Sequence, residues 1–522
     1  MPDLVIDGRP TTVPDGSTIL DAARSLGIEI PTLCYSKGIA AGTSCYVCAV
    51  RVDDGENLVP SCATQVRDGM TVDATGDAVV EARRMALELL LSDHIGDCVG
   101  PCETICPAHM DIPRMVREIA DGDMTAAIRT VKAHIPLPAV LGRICPAPCE
   151  KGCRRGTHDE AVSIMLLKRA VADADLAMEQ PFQPACLSES GKRVAIIGSG
   201  PAGLSAAYYL SQRGHACTIY DEHDKPGGKL LDGVSRELLP LPVLEAEIAV
   251  ISSLGVEFRL GERVEATAFA GLRQEFDAVL IAAGELPDDI RSAWDVTCSA
   301  KGINVDSQSA ETSLAGVFAA GDVVRSVRRA VNAVAAGRGA ALAICRSLGT
   351  DVQAELSFNS TIGKLKPGEA EEFMPEAAPH GRVEAVADGD GLTGPDAQRE
   401  SRRCLHCDCR AADDCGLRIY AEKLGAKQRR FRPTERSLFR QIRQHASVVY
   451  EPGKCIKCGL CTRITETRGE ELGLSFVGRG FDVHVGVPFS DALSAALTKT
   501  AEECVSTCPT GALAALGGQN QC

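Results

Sequence analysis

The stretch KRVAIIGSGPAGLSAAYYLSQRGHACTIYDE, residues 192–222, decides the fold at the middle of this chain. An apolar run, a glycine turn, a helix of small residues and a second apolar run ending in acids make a βαβ unit. Gly198-x-Gly200-x-x-Gly203 follows the strand VAII directly and opens the helix through Pro201 and Ala202. Asp221 and Glu222 end the next strand about 20 residues on, the usual distance for a ribose-binding acid. Glycines permit the tight turn and close backbone approach, the helix N-terminus stabilises a pyrophosphate, and the acid accepts ribose hydroxyls. Gly228 after the acid, Gly284 in AAG and Gly321-Asp322 in VFAAGDVV continue the pattern to an Ala-rich helix near 330–347.

The 522 residues around this unit are 45% apolar and 24% charged, with a formal charge of −15. That length asks for three or more domains of roughly 100–200 residues. A surface so acidic repels phosphate backbones and anionic lipid, which argues against a nucleic-acid binder. No stretch reaches the ~18 uncharged apolar residues of a membrane span, and MPDLVIDGRP lacks the basic and apolar regions of a leader. The expectation is a cytoplasmic protein.

All but five of the 24 cysteines fall at 34–62, 98–153, 404–415 and 455–508. Without a secretion signal, cysteines at such tight spacing read as metal ligands before disulfides. The fold class is multidomain α+β and α/β. We expect a small β-rich module at 1–80, a helical segment at 81–190 and the dinucleotide domain at 191–350. A linker with a four-cysteine site follows at 351–445, and a last cysteine module at 446–522.

Cys34, Cys45, Cys48 and Cys62 have the spacing C-x10-C-x2-C-x13-C in a β-rich segment. A looping first cysteine, a central C-x2-C and a distant fourth supply four thiolates from two directions, which suits a [2Fe–2S] centre; a structural zinc is the plainer alternative. This plan resembles plant-type ferredoxins. With its longer first gap and VPSC, it is similar to the β-grasp-like amino-terminal domain of the large iron–sulfur subunit of NADH dehydrogenases, iron-only hydrogenases and some formate dehydrogenases.

The next region reads SDHIGDCVGPCETICPAHMDIP and then LGRICPAPCEKGC. Cys-Pro endings suit cubes because proline turns the chain away after the last thiolate. The stretch resembles the helical iron–sulfur domain of the glutamate synthase small subunit and of dihydropyrimidine dehydrogenase, which holds two cubes. That resemblance implies one [4Fe–4S] cube on His94, Cys98, Cys102 and Cys153, His94 and Cys98 replacing a leading C-x2-C, and another on Cys106, Cys145 and Cys149. An imidazole ligand would raise the potential of the first. The fourth position of the second falls on Lys168, a poor ligand, so this cube takes another donor, such as Glu160, or is absent.

By the same resemblance, the AGD segment brings Asp322 to the ribityl chain of FAD. The glutamate synthase small subunit carries a second Rossmann domain for NADPH between AAG and AGD. Here about thirty residues separate Gly284 from Gly316, the length of a single βαβ unit, without a second glycine fingerprint. The resemblance to that family implies that the nicotinamide domain is missing.

Cys404, Cys407, Cys409 and Cys415 form a crowded four-thiolate set that suits a cube or tetrahedral zinc, the surroundings favouring the cube. In KCIKCGLC with CVSTCPTGAL, Cys455, Cys458, Cys461 and Cys508 follow the two-cluster ferredoxin rule for one cube. Thr465 replaces the ligand a second cube would need, and Cys504 is spare. Two to four [4Fe–4S] clusters are expected in all.

No catalytic triad or open metal site stands out. A flavin exchanges two electrons and each cluster one, so the expectation is an electron-transfer subunit of a cytosolic oxidoreductase complex. FAD would lie at its core, with a [2Fe–2S] arm at one end and a [4Fe–4S] arm at the other. Its partners would be an NADH-oxidising flavoprotein subunit and a hydrogenase, formate dehydrogenase or aldehyde oxidoreductase. The alternatives are a self-contained NAD(P)H-dependent FAD oxidoreductase similar to the glutamate synthase small subunit, and a scaffold with zinc in degenerate sites.

Overall fold

In the computed structural model the chain divides into two compact units, Met1–Val99 with Glu355–Pro375 and His406–Cys522, and Gly100–Ala354 with Glu376–Leu405. The structure describes residues 1–516 except 54, 56, 287–292, 327–328, 353–355, 386–390, 432 and 434. Among the described residues no helix is long and apolar enough to cross a membrane.

The first unit begins with a five-stranded sheet. Strand Asp3–Ile6 pairs antiparallel with Arg9–Thr12 and parallel with Met70–Asp73. Met70–Asp73 pairs antiparallel with Ala49–Val52, which pairs antiparallel with Leu58–Pro60. Asp7 and Gly8 both have positive φ, 47° and 77°, as a two-residue hairpin turn requires. Helix Ile19–Ser25 starts on a capping box between Thr18 and Asp21 and buries Ile19, Leu20, Ala22 and Ala23. The apolar alternation of the strands puts Leu4, Ile6, Val50 and Val72 against that helix.

The carboxy-terminal part of this unit pairs strand Val448–Tyr450 antiparallel with Leu513–Ala515 and packs helix Leu460–Thr467 on Ala501–Thr507. The arrangement expected from chain order, with the two ferredoxin-like modules at opposite ends of the flavin domain, is corrected here. Leu33, Cys34, Cys45 and Val47 share one apolar core with Leu460, Ile464 and Leu513, so both ends of the chain belong to the same unit.

The second unit joins helices to a five-stranded parallel sheet in the order Val317–Ala319, Ala278–Ile281, Arg193–Ile197, Ala216–Asp221, Glu257–Leu260. Strands buried on both faces explain the near-continuous apolar runs VAII and AVLI. Helices Pro201–Gln212 and Ala330–Ser347 pack together on one face. That core continues without a break into the helical segment through Leu141, Leu167 and Val171. Between strands Ala278–Ile281 and Val317–Ala319, the described residues form a two-stranded hairpin, Cys298–Ser299 with Gly302–Ile303, and no second parallel sheet.

The segment without periodicity after residue 350 carries helix Gly394–Ser401, and its chain is pinned by buried charge. Arg403 is fully buried and bonded to Glu400 (2.9 Å) and Asp159 (3.1 Å), while Arg155 bonds Asp159 and the carbonyls of Ala378 and Arg403. In the first unit, Glu369 accepts from Arg436 and the Phe439 N–H. A buried ion pair offsets its desolvation only when its remaining donors and acceptors are satisfied, as these are.

Candidate redox centres

The dinucleotide loop is built by close backbone approach. A Cβ on Gly203 would stand 1.9 Å from the Gly198 carbonyl oxygen, so only glycine lets the helix start that near the strand. Gly198 lies against the Ala282–Ala283 backbone, Gly228 against Gly200, and Gly321 against Ala202, so four segments distant in sequence meet at one helix N-terminus. That cradle fits a dinucleotide pyrophosphate. Asp221 is buried and its carboxylate accepts from Ser199 N–H (2.7 Å), Ser199 Oγ (2.6 Å) and His223 N–H (3.0 Å), with His223 Nδ1 at 2.7 Å. Burial would raise its pKa, but the bonds from Ser199 and His223 outweigh that and hold it below the ordinary value. The bond to Asp221 raises His223 in turn. Glu222 points outward and faces Arg263 at 3.6 Å, so Asp221 alone of the two acids reaches the loop. Asp322 receives Lys229 Nζ at 2.7 Å, which places it beside Gly228; Glu285, next to Gly284, faces the same ammonium at 3.3 Å.

In the helical segment, Cys106, Cys145, Cys149 and Lys168 line one cavity. Cys106 ends helix Pro101–Ile105 and Cys145 ends helix Pro138–Ile144, each in extended backbone before a proline. Burial pushes the Cys149 thiol up to about 12, against the pull of Lys168. Val331, at the start of helix Ala330–Ser347, also lines this cavity. Glu160 is exposed and is not among the lining residues. Cys102 and Cys153 pack against the same core on elements that touch: helix Pro101–Ile105 meets helix Pro148–Lys151, and Gly152 meets Ile105. Cys404 packs against that core as well. Three thiols converge here, one short of a complete set for a cube.

The first unit brings together three sets of thiols. Cys34, Cys45, Cys48 and Cys62 are all buried and bond one another. Bonds from Cys45 and Cys62 draw Cys34 down to about 2, and the bond from Cys62 draws Cys48 to about 6. Cys45 and Cys62 are pushed up, chiefly by Cys34. Four buried, convergent thiols fit a [2Fe–2S] centre. In the second set, Cys455, Cys458, Cys461 and Cys508 line one cavity, which fits a cube. Thr465 spends its hydroxyl on the Thr462 carbonyl and the Leu474 N–H, and Cys504 is buried but does not line that cavity. The second residue of the Cys45–Cys48 turn, Tyr46 (φ 58°), and the third of the Cys455–Cys458 turn, Lys457 (φ 56°), take a left-handed backbone, and in each turn the N–H two residues after the first cysteine turns to its sulfur.

The third set is one the spacing does not suggest. Cys98 accepts Ser360 N–H on its sulfur at 3.3 Å, and its carbonyl accepts Cys409 N–H at 3.2 Å. Burial raises all three thiols, Cys98 to about 11 and Cys415 to about 12, with Cys98 and Cys409 adding to Cys415. Cys409 Sγ would stand 2.4 Å from a Cβ on Gly511, and Cys415 Sγ is 3.8 Å from the Pro509 carbonyl oxygen. His94 Nδ1 is buried without a hydrogen-bond partner, and burial followed by Lys454 lowers the ring to about 4, so it is a neutral imidazole. Lys454 also interacts with Cys409 and pairs with Glu451. Cys407 lies in this unit too.

Arg463 has no motif to announce it. Its Nη2 donates to the Cys34 carbonyl at 3.2 Å and the Cys458 carbonyl at 3.3 Å, tying the first two sets together.

Comparison with known proteins finds four domain matches between residues 3 and 337. Residues 3–76 match the 2Fe-2S iron-sulfur cluster binding domain, and 75–180 match dihydropyrimidine dehydrogenase domain II, 4Fe-4S cluster. Residues 196–243 match the NAD(P)-binding Rossmann-like domain, and 243–337 the pyridine nucleotide-disulphide oxidoreductase domain. The NADPH-Fe(3+) oxidoreductase subunit beta of Geobacter sulfurreducens is 35% identical over 246 residues, 45% of this chain and 36% of the relative. The NADP(+)-dependent formate dehydrogenase subunit beta of Moorella thermoacetica is 40% identical over 207 residues, 35% of this chain and 29% of the relative. The NAD-dependent dihydropyrimidine dehydrogenase subunit PreT of Salmonella typhimurium is 37% identical over 190 residues, 35% of this chain and 45% of the relative. The chain thus spans less than half the length of these curated relatives. It carries a 2Fe-2S domain, a 4Fe-4S domain and a dinucleotide-binding oxidoreductase domain.

Proposed function

We propose that this chain is an electron-transfer subunit of a cytoplasmic oxidoreductase complex, in which FAD and iron–sulfur clusters exchange electrons and pass them to partner subunits. The observation that carries the reading is the wall of the Cys106–Cys145–Cys149 cavity. Val331 in that wall begins helix Ala330–Ser347, which packs on the helix opened by the glycine loop. A cluster on these thiols and a flavin in the glycine cradle would share one apolar core.

The flavin, when bound, would supply conversion between one- and two-electron steps. Gly198, Gly200, Pro201, Ala202 and Gly203 would take its pyrophosphate, Asp221 the adenosine ribose, and Gly228, Gly284, Gly321 and Asp322 the remainder. Lys229 holds Asp322 in place until a ligand competes for it. In the first unit, Arg463 would fix the spacing of the two ferredoxin-like centres. Names of relatives containing "subunit" support a complex, and their NADPH, formate and dihydropyrimidine chemistries support varied partners. We infer an NADH-oxidising flavoprotein subunit on one side and a catalytic subunit of the hydrogenase, formate dehydrogenase or aldehyde oxidoreductase type on the other.

The competing reading, a self-contained NAD(P)H oxidoreductase, needs a nicotinamide site. Stopped-flow mixing of the purified chain with NADH or NADPH separates the two. Electron transfer through partners predicts that flavin absorbance persists without a partner; rapid bleaching by the isolated chain overturns it. Iron and acid-labile sulfide near zero in pure protein would overturn both and leave the zinc scaffold.

A further inference from the structure

Lys168 is the residue of the helical iron–sulfur segment that the electron-transfer reading does not use. It lies in helix Ile164–Leu176, is 5% exposed, and lines the cavity of Cys106, Cys145 and Cys149. The rest of the wall is apolar, with Ile112, Ile135 and Val331 among its residues and no carboxylate. Glu150, which follows Cys149, is turned to the Met165 N–H and to Arg382, both at 2.9 Å. A cation thus stands where a fourth donor would be needed, and no carboxylate in the cavity neutralises it.

We propose that Cys106, Cys145 and Cys149 hold a cube by three of its irons, and that Lys168 stands over the fourth corner as a fixed cation and not as a ligand, leaving one iron exchangeable. This rests on the reading of these thiols as a cluster site. A lysine ammonium has three donors and no lone pair, so it cannot ligate iron. It can, however, lower the cost of burial. Three thiolates carry one negative charge fewer than four, and the ammonium cancels another, in a wall where uncompensated charge is expensive. The same cation favours an added electron, so it moves the reduction potential upward.

The test uses the full-length protein, reconstituted without oxygen and treated with ferricyanide as one-electron oxidant. Each cube held by three thiolates gives one electron to ferricyanide and one ferrous ion to solution, leaving three irons and four sulfides that electron paramagnetic resonance counts. Expected are about one more such three-iron centre per chain in wild type than in Lys168→Cys, where a fourth thiolate closes the corner, and a more negative potential for this centre in Lys168→Met. Absence of any three-iron centre in wild type, an equal number in wild type and Lys168→Cys, or an unchanged potential in Lys168→Met overturns the inference. Flavin content equal to wild type certifies that each variant is folded. Cys149→Ser separates this inference from its premise. If that variant keeps all its iron, the cluster reading of the site fails; if it loses about four irons per chain while wild type yields no three-iron centre, only the role of Lys168 fails.

Discussion

Replacing Gly337 by alanine tests whether the flavin loop is held by close helix packing. Gly337 lies on helix Ala330–Ser347, and an added Cβ would stand 2.1 Å from the Ala202 carbonyl oxygen, 2.9 Å from its carbon and 3.0 Å from Ser205 Cβ. Two of these atoms are backbone in the first turn after Gly200, so relief requires the helices to part by about 1 Å. Parting them pulls on Ser205 Oγ, which donates to the Val334 carbonyl at 2.8 Å, and on the loop from Gly198 to Gly203. Overpacking of this kind costs about 3 kcal/mol, or roughly 6–12 °C in the melting of a unit of this size. Gly339 on the same helix is the control, because nothing lies within 4 Å of its added Cβ. Gly339→Ala should gain up to ~1 kcal/mol from helix propensity. The assay is flavin fluorescence release during heating, with flavin per chain measured on purification. Gly337→Ala should lose flavin and melt early, while Gly339→Ala keeps both at or above the wild-type level. If the two variants behave alike, helix packing does not hold the loop.

Three further outcomes are expected. Glu247 is buried and accepts from the Ala139 and Val140 N–H groups, and burial pushes its pKa up to about 7 from 4.5. The folded state therefore holds the proton more tightly than the unfolded chain. Its stabilising effect is present below the unfolded value and lost as pH climbs to about 7, a change of about 3 kcal/mol that Glu247→Gln should remove from urea melts; parallel pH profiles would refute this. Arg463→Met removes the donor shared by the Cys34 and Cys458 carbonyls. It should speed hydrogen exchange at both loops with a loss of about 1–3 kcal/mol, and an effect at one loop alone would show that they are not coupled. If Cys98, Cys409 and Cys415 serve one centre, Cys98→Ser, Cys409→Ser and their double variant should lose the same amount of iron, whereas additive losses would place them in separate centres.

The parts legible in the sequence are those where one short motif does the whole job. The glycine loop needs VAII before it and small residues after it, and all of these lie within 192–222. The same holds for the C-x2-C turns and for the capping box at Thr18 and Asp21. Gly337 and Glu247 are not legible, because the atoms they serve lie on another helix and AAGRGAA or LEAEIAV reads as ordinary helix. The segment after residue 350 shows no period because buried pairs such as Arg436 with Glu369, and Arg403 with Glu400, fix its path where apolar spacing would otherwise leave a trace.

The cysteines mark the limit most clearly. The family resemblance assigns Cys98 to the helical segment's first cube, and spacing sets Cys409 in a four-thiolate set of its own, yet the folded chain sets Cys98 beside Cys409 and Cys415. The reason lies in backbone pairing rather than in any cysteine pattern. Ser360 exchanges both of its main-chain bonds with Cys98, donating its N–H to the sulfur and accepting the Cys98 N–H at 3.1 Å, and Thr361 and Ile362 bind Asp97. That contact draws a distant segment against the chain just before Val99, beside the Arg418 guanidinium that holds the Leu356, Phe358 and Ala412 carbonyls. Ser360, Asp97 and Arg418 therefore decide which thiols meet. A Ser360→Pro change, which deletes the N–H that bonds Cys98, should disturb the Cys98 centre while leaving the iron on Cys34, Cys45, Cys48 and Cys62 in place; loss of iron confined to those four cysteines would show that Ser360 does not position Cys98.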